Sequence, residues 1–429
     1  MTQTIEVGML GLGTVGSGVV ARLTRAATKI EQTQGLRLHL ATVAVHHLRA
    51  PRAVQLPVGT RLTDDWQQVV TDPRIQLVIE VMGTIATAKA AIIAALTHGK
   101  SVVTANKDLM ATNGEQLIAL AQRQGCDLFY EASVAGGIPI LRTLTDSYAT
   151  DQVQRVAGII NGTANYILTA MTSQGQSYQT ALTAAQQAGY AEADPTNDVT
   201  GLDTAYKLCI LSQFAFGQTV DLTRLQPTGI TALTATDCQQ AQQAGYQLKL
   251  LAQAERHGSN LYVRVAPTAI PQTSALSQVA GVQNGVAITS DAIGDSLYTG
   301  PGAGSTATAN SVLNDVLVAA NHLVTATRGL AFNRNHVQLR VHALDQLPQR
   351  YLLVSSLSRL TLQTYANEVD FSIQPTAGPA LITTAVTPTQ LAQLQRLTTI
   401  NGQAQVTAIP IAFSTQPAAA AVTAIQAVS

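Results

Sequence analysis

The chain has 429 residues, of which 46% are hydrophobic, and its 25 basic and 25 acidic side chains give a formal net charge of zero. That length predicts two or three folded units, and the balanced charge supplies no field of one sign to attract nucleic acid or an anionic membrane. The three cysteines, Cys126, Cys209 and Cys238, are odd in number and lack metal-ligand spacing, which argues against a disulfide scaffold or zinc site and for a reducing, cytoplasmic setting.

Ile5 to Leu10 is an apolar run ending in glycine, read as a buried strand that leads into a helix from about Thr14. No basic segment with an apolar signal core precedes it, and no run of ~18 apolar residues follows that could span a membrane. Strand-like runs recur at Leu36 to Val45, Leu77 to Val81, Ser101 to Thr104 and Asp127 to Tyr130. Helical stretches are predicted between them at about Asp64 to Thr71, Ala86 to His98 and Gly114 to Gln124. This alternation predicts an α/β domain, a Rossmann-type doubly wound parallel sheet over residues 1–133. Ligands of such a sheet bind beyond the carboxyl ends of its strands, where Gly11 and Asn106 both fall.

Gly11-Leu12-Gly13-Thr14-Val15-Gly16 fits GxGxxG between a strand and a helix. The first glycine permits the tight turn, the second lets a pyrophosphate approach the backbone, and the third lets helix and strand pack closely. An NAD reader places Asp or Glu at the end of the second strand; here Val45-His46-His47-Leu48-Arg49 stands there, with Arg52 close by. That favours NADP over NAD, although a solvated basic loop would read the same way. Lys107, in Thr104-Ala105-Asn106-Lys107, follows a buried strand and could bind phosphate, pair with a carboxylate or meet a substrate oxygen.

Beyond Glu131 the alternation stops. A glycine-rich turn covers Ser133 to Pro139, Val153 to Ile160 reads as a strand leading to Asn161-Gly162-Thr163, and helices follow, interrupted by a polar loop from Gly189 to Val199. Gln247 to Thr299 is mostly strand, including Leu261 to Val265 and Gly285 to Thr289, and a helix runs from about Ser305 to Ala320. Residues 134–335 are thus expected to form an α+β domain whose last part returns to the nucleotide domain. Asp203 and Lys207 lie four apart on one helix face, which by itself suits a surface ion pair. Glu192, Asp194 and Asp198 lie just ahead, and several carboxylates around one amine suit a grip on an ammonium group, hence an amino-acid substrate. The tail, 346–429, reads as a small α/β module with strands at Arg350 to Ser355, Glu368 to Ile373 and Ala404 to Phe413 and a helix at Pro388 to Arg396.

Six segments, Gly11 to Gly16, Thr104 to Lys107, Glu131 to Pro139, Asn161 to Leu168, Gly189 to Pro195 and Gly201 to Lys207, resemble homoserine dehydrogenases in order and spacing. The resemblance covers about residues 1–330, and Gly302 falls in a segment like that family's late glycine turn over the cofactor. It implies NAD(P)-dependent interconversion of L-homoserine and L-aspartate 4-semialdehyde, on the way to threonine and methionine. Lys207 would be the proton donor with Lys107 alongside; Glu192, Asp198 and Asp203 would hold the substrate. Gly11, Gly13, Thr14, Val15, Gly16, Arg49, Thr104, Lys107 and Gly302 would meet the cofactor. It further implies a monovalent cation, usually sodium, held by Glu131 and the backbone carbonyls of Val134, Gly136 and Ile138, and a homodimer formed through the second domain.

Long members of that family end in an ACT-type module whose first strand leads to a Pro-Gly turn. Here Leu352 to Leu360 has neither residue, so the tail is expected to be an ACT-like module in which packing or dimerisation competes with threonine binding. Two other readings stay open on residues alone. A nucleotide sensor without catalysis is opposed by the joint presence of Lys107, Lys207, Glu192 and Asp203. A phosphorylating aldehyde dehydrogenase is opposed by Cys126 and Cys209, which sit in apolar surroundings.

Overall fold

The computed structural model of the protein describes residues 2–412. They fall into two compact units: Met1–Thr150 with Cys209–Thr219 and Gly300–Val337, and Asp151–Leu208 with Val220–Thr299 and the chain from Gln338 onward.

The first unit begins β1 (Gln3–Leu10), α1 (Thr14–Gln34), β2 (Leu36–Ala44), β3 (Arg61–Thr63), α2 (Gln67–Val70), β4 (Leu77–Glu80), α3 (Ala86–Thr97), β5 (Ser101–Thr104), α4 (Lys107–Arg123), β6 (Leu128–Phe129) and α5 (Ile140–Asp146). Its six strands are parallel in the order β3-β2-β1-β4-β5-β6. The order reverses between β1 and β4, which opens a crevice at their carboxyl ends. Buried Val7, Met9, Leu77, Ile79, Val102 and Val103 give the near-continuous apolar strands that a sheet covered on both faces needs. Gly35, at φ 65°, ends α1 with its N–H on the Glu31 carbonyl. Helix α4 starts at Lys107 rather than Gly114, because the Asn106 side chain accepts the Leu109 N–H and caps it there. Strand β3 was not foreseen, and α2 is shorter than the predicted Asp64 to Thr71.

The second unit contains β7 (Val153–Ile159), α6 (Gly162–Gln174), α7 (Tyr178–Gln187), α8 (Thr196–Val199), α9 (Leu202–Phe216), α10 (Ala235–Gln243), β8 (Tyr246–His257), β9 (Asn260–Pro271), β10 (Gln283–Ser290) and β11 (Gly294–Pro301). Helix α9 passes from the second unit into the first at Cys209, and α11 (Ser305–Thr325) belongs to the first. With β12 (Arg340–Ala343) the strands form a sheet in the order β11-β10-β7-β8-β9-β12, in which β12 joins β9 in parallel and β7, β8, β9 and β10 pair antiparallel.

The remaining elements are β13 (Tyr351–Ser355), α12 (Arg359–Glu368), β14 (Ile373–Pro375), β15 (Leu381–Thr383), α13 (Pro388–Leu397), a ribbon of β16 (Thr399–Ile400) and β17 (Gln403–Ala404), and β18 (Val406–Pro410). The antiparallel sheet β14-β15-β13-β18 gives a βαββαβ path of ferredoxin-like order. Leu353, Leu362, Ala366 and Leu394 pack together in its core. Of the predicted strand Glu368 to Ile373 only Ile373 falls in a strand, β14; the rest is the end of α12 and a turn with Asp370 at φ 62°, and Ser358 caps that helix through the Thr361 N–H. Phe413, the last residue of the final predicted strand, lies outside the described residues.

Candidate functional site

At the glycine loop each glycine meets a different constraint. Gly11 has φ 100°, and a Cβ there would stand 2.6 Å from the Val81 carbonyl oxygen. A Cβ on Gly16 would stand 2.4 Å from the Gly11 oxygen, whereas one on Gly13 would meet nothing within 4 Å. The outer glycines thus close the turn and the middle one leaves free space. Gly13 is the N-cap of α1 and offers no side-chain acceptor, so the first N–H groups of the helix stay available to an anion. Ser305 Oγ, at the start of α11, donates to the Thr14 carbonyl at 2.8 Å.

After β2, His46, His47 and Arg49 are exposed. Arg52 donates to the carbonyls of His47 and Leu48 and is spent on its own loop; Arg49 makes no hydrogen bond among the described residues. Along the rim, Glu80 ends β4 fully buried, its carboxylate accepting from Thr104 Oγ1 at 2.5 Å and from the Met82 N–H at 2.8 Å. Burial pushes its proton affinity up, against those two hydrogen bonds. Thr104 Oγ1 accepts the Asn106 N–H at 3.0 Å, so the Thr104 side chain braces the rim from which Lys107 starts α4. Lys107 Nζ lies 3.5 Å from Asp108 Oδ1 and is one-third exposed.

Within the second unit the structure draws three predicted residues together. Lys207 Nζ donates to Asp203 Oδ2 at 2.7 Å and to the Ile160 carbonyl at 2.8 Å, with its side chain only 12% exposed. Asn161 Nδ2 donates to Asp198 Oδ1 at 2.7 Å and to Asp203 Oδ2 at 2.8 Å, joining the two carboxylates. The pair at positions 203 and 207 is therefore sheltered rather than a surface bridge. Glu192 is not drawn in: it is exposed and its carboxylate makes no hydrogen bond among the described residues. Asp194 accepts from the N–H and Oγ1 of Thr196, the first residue of α8, and these bonds lower its proton affinity. Thr163 Oγ1 donates to the Tyr190 carbonyl at 2.7 Å and fastens the Gly189 loop.

The turn after β6 lies in the first unit. Glu131 is buried, and its two carboxylate oxygens accept the N–H groups of Leu141 and Arg142 at 2.8 and 2.7 Å, capping α5. Burial first, and the neighbouring Asp315 second, push it up to about 8. Burial raises Asp315 to about 6 despite an Arg142 pair at 2.6 Å. Ala135 and Gly136 are successive left-handed residues, at φ 53° and 44°, and the Gly136 carbonyl accepts from Ser311 Oγ at 2.7 Å. Asn161 was read only as part of a matching segment with no role of its own, and Glu80, Asp315 and Arg142 were not singled out from sequence. An acid inside the otherwise apolar run Leu77 to Val81 was a readable sign for Glu80; the others depend on long-range contacts.

Residues 11–131 match the family model described as the NAD binding domain of homoserine dehydrogenase, and residues 139–317 match that of homoserine dehydrogenase. The homoserine dehydrogenase of Bacillus subtilis is 42% identical over 330 residues, 77% of this chain and 76% of the relative. That of Lactococcus lactis is 40% identical over 335 residues, 77% and 78% of the two chains. A crystal structure of a homoserine dehydrogenase from Thiobacillus denitrificans superposes with a TM-score of 0.89 at 33% identity, covering 95% of this chain and 98% of the other. With matches in both parts and relatives this similar over three quarters of their length, the chain belongs to the homoserine dehydrogenase family.

Proposed function

We infer that the chain acts as a homoserine dehydrogenase, an NAD(P)-dependent oxidoreductase interconverting L-homoserine and L-aspartate 4-semialdehyde. The observation that carries the reading is Lys207, a sheltered amine seated between Asp203 and the Ile160 carbonyl. When bound, the nicotinamide supplies hydride acceptance and return at the alcohol carbon. Lys207 Nζ takes the hydroxyl proton on oxidation and gives it back to the aldehyde oxygen on reduction. Asp198 and Asp203 hold the substrate's ammonium, their two carboxylates against one lysine leaving a negative charge to receive it, and Glu192, outside that cluster, joins them on binding. Lys107 assists from the start of α4. The test is reduced-nicotinamide absorbance with L-homoserine: wild type turns over, and Lys207→Ala loses at least about a thousandfold in kcat. No turnover by the wild type overturns the reading.

NADP is the preferred cofactor and NAD the lesser one, because Arg49 is uncommitted where a 2′-phosphate would lie and no carboxylate follows β2. Residues 1–133 carry the nucleotide, with Gly11, Gly13, Thr14, Val15 and Gly16 receiving the pyrophosphate and Thr104, Lys107 and Gly302 around it. Arg49→Ala is expected to lower the ratio of kcat/KM for NADP over NAD about tenfold; an unchanged ratio removes Arg49 from the site. A sodium ion fits the turn at 131–138. Its ligands would be the hard carbonyl oxygens of Val134, Gly136 and Ile138 with Glu131, and a cation there would offset the burial and the neighbouring Asp315 that push the Glu131 carboxyl up to about 8. Residues 134–335, the last part of which returns to the nucleotide domain, form the substrate and dimerisation domain of a cytoplasmic homodimer, and 346–429 an ACT-like module.

A further inference from the structure

Asn161 links the end of β7 to the start of α6, and its side chain is fully committed. Oδ1 accepts the Ala164 N–H at 2.7 Å, and the two Nδ2 hydrogens go to Asp198 and Asp203. A helix cap needs only the oxygen, and Asp or Ser supplies that about as well as Asn. An amide adds a neutral nitrogen with two hydrogens, which neither Asp nor Ser has. It can therefore seat two mutually repelling carboxylates side by side without introducing a charge. Asp203 Oδ2 also accepts from Lys207, so that oxygen is fixed from two directions. The other acceptor of Lys207 is the carbonyl of Ile160, the preceding residue. One chain junction thus sets both contacts of the amine, directly through Ile160 and indirectly through Asn161.

We propose that Asn161 is a positioning residue for proton transfer, aiming Asp203 at Lys207 while holding Asp198 in place for the substrate's ammonium. This rests on Lys207 being the proton carrier. Asn161→Asp and Asn161→Ser both keep the helix cap. With L-homoserine and NADP, kcat is expected to fall about thirtyfold or more in Asn161→Asp and about tenfold in Asn161→Ser. NADPH affinity, read by fluorescence, stays near wild type in both, and so does the unfolding midpoint of Asn161→Ser; that of Asn161→Asp falls, because its buried carboxylate faces Asp198 and Asp203. Asp198→Asn retains an acceptor for Asn161 but drops the charge, so KM for homoserine is expected to rise.

If both Asn161 variants keep kcat within about threefold of wild type while Lys207→Ala is inactive, the positioning role is overturned and the proton-carrier reading stands. A parallel loss of kcat, NADPH affinity and melting temperature marks Asn161 as a structural cap only and also overturns it. A wild type without turnover overturns the proton-carrier reading, and this inference with it.

Discussion

Two lysines in the second unit show how surroundings divide one chemistry into two roles. Lys207 meets a carboxylate and stays partly accessible; Lys249, on β8, is 3% exposed and donates only to neutral acceptors, Asn165 Oδ1 at 2.9 Å and the Val279 carbonyl at 2.7 Å. Burial without a compensating acid lowers Lys249 to about 8 from its usual 10.5. Between those values the folded chain holds fewer protons at this site than the unfolded chain, so stability rises with pH across that window and is flat below it. The gain is at most about 3 kcal/mol at ~1.4 kcal/mol per unit. Denaturant unfolding of wild type and Lys249→Met at pH 7.5 and 10 checks this: the difference in pH dependence between the two proteins is the lysine's share. Identical slopes would show that Lys249 keeps its ordinary proton affinity when folded.

At the scale of elements, the glycine loop separates folding from binding. Gly13→Ala places a methyl where nothing lies within 4 Å, so the fold is expected to tolerate it within about 1 kcal/mol while NADPH affinity drops at least about tenfold. Gly16→Ala drives a methyl to 2.4 Å from the Gly11 oxygen, so thermal unfolding should show a loss of about 2 kcal/mol or more. If Gly13→Ala keeps full affinity, the loop does not carry the pyrophosphate. This strand-loop-helix was legible because its glycines stand close together in sequence, and β5 was read at its observed ends because the Val102-Val103 pair is flanked by Ser101 and Thr104. Three-residue β3 was missed because it is too short to show a period, and α12 because its buried Leu362 and Ala366 leave exposed Leu360 to blur the stripe. The role of Asn161 could not be read locally: its two carboxylates lie 37 and 42 residues away.

Over the whole molecule, the C-terminal module is part of its unit's core. Ala412 joins the buried cluster of Leu251 and Ile270, its N–H donates to the Ala269 carbonyl at 3.0 Å, and Arg264 donates to Gln349 Oε1 at 2.6 Å. Ending the chain after Leu344 uncovers that cluster, and the thermal midpoint is expected to fall by at least about 5 °C. The missing Pro-Gly turn predicts that L-threonine shifts neither that midpoint nor turnover; a rise in one or inhibition of the other would make the module a regulatory receptor. The path of the chain bears on how the protein is made. Helix α11 buries Val312, Leu313 and Val316 and packs along α1, β4 and β5 within the first unit, yet it follows most of the second unit in sequence. At ribosomal rates the stretch from Thr150 to Thr325 takes on the order of ten to thirty seconds to synthesise. For that interval the nascent nucleotide sheet lacks one of its covering helices and shows apolar surface to solvent, so yield in a cell depends on what shields that face before α11 arrives.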